Sequence, residues 1–408
     1  MSIRVLLTTL RRHSLMPLLV LLQVALACAI LSNVLFLGWL QLQPMLAPSG
    51  MDTANLIFVD HLDAGTGEWT AAEVRAGAEA LREVPGVRAV SAANSLPMTS
   101  GMIYAYGAQG PSGIKVGVNA YTGNGLLHTL GIRLVAGRDF LPDEYRNAGD
   151  YKGVPEPIII TQALAHKLFD KARALGRRVA DPENPTGAGY LVVGIVRHLL
   201  RNQLGLATRG RADDTILLPE RIAKTPVLLY AVRVDPAMRK AALRGVRKAI
   251  QHQFGARLQT GAQPKVAFYD TRSSQAFSGR RAALWLFLGV ASTVLVVTLI
   301  GIMGLTGFWV QKRTRQIGIR RALGARRADI LVHFLTENAL IVGAGIVLGM
   351  LLASLGNRLL MHYYELPQLP WIWLPVGAAL MLALGQLAVL SPALRASRVP
   401  PVVATRSV

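Results

Sequence analysis

The chain has 408 residues, of which 52% are hydrophobic, and a formal net charge of +21. That pairing of apolar content with basicity excludes an ordinary soluble domain and points to a membrane protein. One cysteine, Cys28, excludes an intrachain disulfide framework and a thiolate metal site.

In chain order, residues 1–13 read as a cytoplasmic N-terminus, with Arg4, Arg11 and Arg12 before an uncharged stretch. Residues 14–46 form a first transmembrane helix with its stalk. The stretch is too long for the apolar region of a signal peptide, and Gln41, Gln43 and Pro44 follow it in place of a cleavage site, so it reads as a retained anchor. Three more stretches reach the roughly 20 residues that a bilayer crossing needs: 281–311, 331–356 and 370–392. Basic residues mark the inner side. They cluster at Lys312, Arg313, Arg315, Arg320, Arg321, Arg326 and Arg327 between spans 2 and 3, and at Arg395, Arg398 and Arg406 in the 393–408 tail. The 357–369 connection, with Arg358, His362 and Glu365, is much less basic and faces out. Both termini are then cytoplasmic, and Trp39, Trp285, Trp371, Trp373 and Trp309 fall near span boundaries.

By elimination, 47–280 is a large external domain. "NLIFVD" (55–60) reads as a strand, "AAEVRAGAEALREV" (71–84) as a helix with Val74, Ala78 and Leu81 on one face, and "GVRAVSAA" (86–93) as a second strand. The order recurs before span 2. "VLLYAVRVD" (227–235) is a strand, Pro236 opens a helix that runs to about Gln253, and "KVAFYD" (265–270) is a strand. Two strand-helix-strand units flanking an insertion predict one split α+β lobe, 47–93 with 215–280, around an inserted β-rich lobe at 94–214. Within the insertion, "PIIITQALAHKLF" (157–169) reads as strand then helix and "GYLVVGIVRHL" (189–199) as a buried strand.

No catalytic constellation is visible. The G-x-x-x-x-G-K-[ST] phosphate loop is absent, since Lys224-Thr225 has no glycine-rich lead-in, and so is H-E-x-x-H. His128, His166 and His198 lack carboxylates at ligand spacing and read as ordinary surface or core histidines. Ser95 lacks the G-x-S-x-G context and reads as a loop serine. The expectation is a chain with no enzymatic activity, no metal and no cofactor of its own.

Gly301 and Gly304, and Gly345 and Gly349, stand at close-packing spacing, which serves helix contacts within the chain or between subunits. Glu337 lies near the inner end of span 3, where an ionised carboxylate costs several kcal/mol in hydrocarbon. Reaching to the interface, or pairing with an arginine of the preceding loop, is favoured over a place on a substrate path.

The basic segment 312–330 permits three readings: a topological signal held near anionic lipid, a nucleic-acid site, or a docking element. Nucleic acid is disfavoured, because the loop is short, membrane-held and without stacking aromatics. Ile317, Ile319, Leu323 and Ile330 interrupt the arginines, and Gly318 and Gly324 permit bends, so a short helix with an apolar docking face fits best.

"RTRQIGIRRALGARRADILVHFLTENALI" resembles the signature between the second and third spans of MacB/FtsX-like permeases of ABC transporters. Ile317, Gly318, Ile319, Arg320, Arg321, Ala322, Leu323, Gly324, Ala325 and Glu337 match it, while Gln316 stands where the family carries glutamate. "SPALRASRVPPVVATR" (391–406) resembles the family's C-terminal ending, and "VSAANSLPM", "LGIRLVAGRDF" and "LGRRVADPE" match its external part loosely. The resemblance implies a membrane α-helical fold of four transmembrane helices, with a periplasmic domain made of a porter-like lobe and an inserted lobe. It implies that 316–325 couples to a cytoplasmic ABC ATPase carried on another chain, where ATP-Mg would bind. It further implies a second permease subunit, identical or related, in a bacterial inner membrane. A MacB-type exporter would work with a periplasmic adaptor and an outer-membrane channel. Lipoprotein release, or control of a cell-wall hydrolase, is the alternative within the superfamily. A membrane-anchored sensor without an ATPase is the alternative outside it.

Overall fold

The computed structural model describes residues 15–65, 67–99, 105–147, 153–169, 173–184, 187–202, 204, 211–258, 263–364 and 368–397. Arg4, Arg11, Arg12, Glu365, Arg398 and Arg406 lie outside the described residues, as does the end of the C-terminal motif. The chain divides into two units, Pro44–Ser278 and the remainder.

In chain order the main elements are α1 (Leu15–Leu46), β1 (Leu56–Asp63), α2 (Ala71–Arg82), β2 (Val87–Ala93), β3 (Ala105–Gln109), β4 (Lys115–Thr122), α3 (Leu126–Leu130), β5 (Leu134–Gly137), β6 (Glu156–Thr161), α4 (Gln162–Phe169), β7 (Arg178–Val179), β8 (Tyr190–Val196) and β9 (Thr215–Leu218). There follow β10 (Val227–Val234), α5 (Arg239–Phe254), β11 (Lys265–Phe268), α6 (Tyr269–Ala276), α7 (Ser278–Lys312), α8 (Thr314–Ala322), α9 (Arg327–Tyr364) and α10 (Trp373–Ser397).

The 44–278 unit is built on two sheets. A four-stranded antiparallel sheet has the order β11-β1-β10-β2 and unites the first and last strand-helix-strand units of the unit. Thr70 and Glu73 form a capping box that starts α2: the Thr70 amide donates to Glu73 Oε2 at 2.9 Å, and Thr70 Oγ1 accepts from the Glu73 amide at 3.4 Å. Val74, Ala78 and Leu81 on α2 pack with Val246, Ile250 and Phe254 on α5 over this sheet. A mixed seven-stranded sheet has the order β3-β4-β9-β6-β8-β5, with β7 added on β8. A second core, with Phe58, Leu130, Ile159, Leu217 and Leu229, joins the two sheets.

One boundary is corrected. The return from the inserted lobe was expected at 215, yet Thr215–Leu218 is strand β9, parallel to β4 and antiparallel to β6. All four of its residues are buried, so this apolar run serves the middle of the inserted sheet and the lobe extends through Leu218.

In the other unit, four helices are long and apolar enough to cross a membrane among the described residues: α1, α7, α9 and α10. Each closes its backbone hydrogen bonds internally, as hydrocarbon demands. Thr293, Thr298, Thr336 and Ser354 turn their hydroxyls onto carbonyls four residues back, which satisfies them without water. Val24, Cys28, Leu31, Ile302, Val342 and Met381 are among the residues that form the bundle core. Polar bonds tie the helices laterally: Asn338 Nδ2 donates to the Gly385 carbonyl at 3.1 Å, and Asn33 Nδ2 to that of Ala353 at 3.3 Å. The helical bounds differ from the expected spans: the fourth helix begins at Trp373 rather than 370, and the third runs to Tyr364, over most of the stretch expected as the 357–369 loop. The third starts at Arg327 rather than 331 and the fourth continues to Ser397 rather than 392, because the helices carry on past their apolar stretches.

The small residues divide by role. A Cβ on Gly345 would stand 2.8 Å from the Leu21 carbonyl oxygen, and one on Gly349 2.7 Å from that of Ala25, so α9 lies against the α1 backbone. A Cβ on Gly301 would collide with the Gln23 side chain. Around Gly304 nothing lies within 4 Å.

Candidate coupling site

The segment between α7 and α9 is a short helix closed by a glycine turn. Helix α7 ends at Lys312 and α8 begins at Thr314, whose Oγ1 donates to the carbonyls of Val310 and Gln311 at 3.1 and 2.9 Å. Gly324, at φ +97°, adopts the left-handed conformation that ends α8. The Ala325 amide then reaches back to the Arg320 carbonyl at 3.1 Å, the closing bond of a Schellman turn. Asp329 starts the next helix by accepting from the Arg326 amide at 2.9 Å.

Two faces follow from the helical period. Ile317 and Gly318 are buried, and Ile317 packs in the bundle core with Ile330 and Phe334. Gln316, Ile319, Arg320 and Leu323 are exposed; Ile319 is 45% and Leu323 83% accessible. These positions fall at i, i+3, i+4 and i+7, which is one stripe of an α-helix. Ala322 and Gly324 are also exposed and Ala325 is half-buried, while Arg321 is placed on the helix by its backbone.

Three expectations therefore change. Ile330, expected on the docking face, lies in α9 and is buried in the bundle core. Gly318 lies inside α8 and makes no bend; only Gly324 does. Ile317 belongs to the anchoring face and not to the docking face, because its register turns it toward the bundle.

Glu337 sits beneath this segment. It is wholly buried, and Arg313 Nη1 donates to its two carboxylate oxygens at 3.1 and 3.3 Å. The arginine is 14% exposed, and its guanidinium carbon stands 4.2 Å from the centroid of the Trp309 ring. Of the two expectations for Glu337, pairing with an arginine of the preceding segment is the one observed, and Arg313 between α7 and α8 is that arginine. Pattern reading named Arg313 and Trp309 but did not single out Arg313 as the partner of Glu337 or place the Trp309 ring against it. A buried acid facing a basic loop signals that one arginine must turn inward, but only packing selects which.

The chain matches two family descriptions: MacB-like periplasmic core domain over residues 19–262, and FtsX-like permease C-terminal over residues 288–401. The first match alone spans more than half of the chain. The chain belongs to the MacB/FtsX family of ABC transporter permeases. It is a membrane protein with a periplasmic domain, the 44–278 unit. Among its relatives is the ABC transporter permease YvrN of Bacillus subtilis, 26% identical over 334 residues, which are 78% of either chain. The permease is also 29% identical over 264 residues to the macrolide export ATP-binding/permease protein MacB of Nitrobacter winogradskyi. That alignment covers 60% of this chain and 38% of MacB. The pyoverdine export ATP-binding/permease protein PvdT of Pseudomonas aeruginosa is 31% identical over 211 residues, covering 50% of this chain and 30% of PvdT.

Proposed function

We propose that the permease is the membrane subunit of an inner-membrane exporter of the MacB type and that α8 is its coupling element. In this reading a separate cytoplasmic ATPase binds ATP-Mg and hydrolyses it, and the permease itself catalyses nothing. Both termini and α8 face the cytoplasm, in keeping with the arginines around the segment. Two permease subunits, identical or related, form the membrane part, and a periplasmic adaptor and an outer-membrane channel continue the export route. Movement of α8 by the ATPase passes along the first and second spans to the periplasmic domain, so that ATP hydrolysis becomes mechanical work outside the membrane.

The observation that carries this reading is the two-sided character of α8. A topological signal needs arginines alone, whereas this helix buries Ile317 in the bundle and leaves Leu323 83% accessible beside Ile319 and Arg320. An apolar pair ringed by cations, anchored from below, suits a hydrophobic groove with an acidic rim. The relatives named as ATP-binding/permease proteins support an ATPase as the partner. The test is ATPase stimulation by reconstituted permease carrying Leu323→Asp or Arg320→Glu. Both variants are expected to insert normally and lose stimulation; unchanged stimulation in both would overturn the assignment.

A further inference from the structure

The periplasmic domain holds a cationic concavity that the coupling reading leaves unused. From Pro236 to Lys265 the sequence carries seven lysines and arginines and no aspartate or glutamate. Topology does not explain this excess, since the inside rule concerns the cytoplasmic ends of spans. Two of the seven are spent on acids, Arg239 on Asp270 at 3.1 Å and Arg257 on Glu73. Arg247, Lys248 and Lys265 instead line a concavity of about 1020 Å³ bounded by α5, β11 and α6, together with Arg272. No described residue lining it is acidic, and residues 255–264 contain no acid in the sequence.

The four cations are not equivalent. Arg272 is compensated from within by an ion pair with the buried Asp60. Arg247 donates from Nε and Nη2 to the Val266 carbonyl at 3.2 and 3.0 Å, which fixes the guanidinium while leaving its charge without an ion pair among the described residues. Lys248 and Lys265 are exposed and form no salt bridge among the described residues. The amides of Gln251 and Gln263 add neutral donors. Three free charges around one cleft, one already oriented, call for an anion with at least two charges and several acceptor oxygens. A lone carboxylate leaves most of that set unused.

We propose that this concavity binds a phosphate-bearing polyanion, the phosphorylated headgroup of a lipid or a soluble pyrophosphate. The test uses the permease labelled with an environment-sensitive fluorophore through Gln275→Cys at the edge of the concavity, with and without the pair Lys248→Gln and Lys265→Gln. One arm titrates inorganic pyrophosphate in detergent, and the other compares nanodiscs of phosphatidylcholine with nanodiscs that also contain cardiolipin, whose headgroup carries two phosphates. A saturable pyrophosphate response that the double variant weakens by about tenfold or more supports the soluble source. A response to cardiolipin alone, lost in the double variant, supports the headgroup. Either response should also weaken with added salt. Lys248→Gln by itself, on an exposed helix face, is read the same way should the double variant unfold. No saturable response in either arm, or an undiminished response in the variants, would overturn the proposal.

Discussion

Replacing Arg313 by leucine strands the carboxylate of Glu337 in the bundle. The two side chains are 14% and 1% exposed, so the small value of an exposed pair does not apply. Breaking a buried pair from one side costs roughly 3–5 kcal/mol. Losing the contact with the Trp309 ring adds about 0.5–1 kcal/mol. Glu337→Leu should cost less, since the guanidinium keeps Trp309 and some solvent. With both positions changed to leucine no buried charge remains, and most of the loss should be recovered. Detergent-driven unfolding of the four proteins in mixed micelles closes a double-mutant cycle, with an expected interaction of about 2 kcal/mol or more. Single losses under about 1 kcal/mol that simply add in the double variant would refute the inward-turned pair.

Gly349→Leu should force α9 away from α1, because its Cβ alone would meet the Ala25 carbonyl oxygen at 2.7 Å; Gly304→Leu has open space and should leave the fold of the subunit intact. Thermal unfolding in detergent separates the two, with a clear drop in Tm expected only for the first. In the periplasmic domain, burial and then the neighbouring charge of Glu220 push the Glu156 carboxyl up to about 8. Burial raises that of Glu220 as well. The folded protein therefore keeps protons that the unfolded chain releases near pH 4 to 5, so stability should fall as pH rises from about 5 to 8 and then level off. Tm measured across that range should show the decline, and Glu156→Gln should flatten part of it; a Tm that climbs toward pH 8 would contradict the burial of this acid.

The spans and the split α+β lobe were legible because each rests on local pattern. Uninterrupted apolar stretches announce helices in lipid, and Val74, Ala78 and Leu81 at helical spacing announce the face that α2 buries. What stayed hidden depends on long-range pairing. "TILL" at 215–218 reads equally well as an edge of either sheet, and only its partners in β4 and β6 decide. In the segment 312–330 the motif was visible while its orientation was not. Glycine content suggested two bends, but Gly318 is tolerated inside α8 and only Gly324 takes a left-handed conformation. The helix phase, set by Ile317 entering the bundle, decides which apolar residues remain outside. Arg313 could not be singled out among its basic neighbours until the depth of Glu337 was known.

Site-specific photo-crosslinking from position 323 tests the coupling assignment most directly. With a photoreactive amino acid at Leu323, and one at the buried Ile317 as control, crosslinks to a cytoplasmic ATP-binding chain are expected from position 323 alone. Their yield should change when ATP is added. Crosslinks from position 323 to lipid only, with none to an ATP-binding chain in the presence or absence of ATP, would contradict the assignment of α8 as the coupling helix.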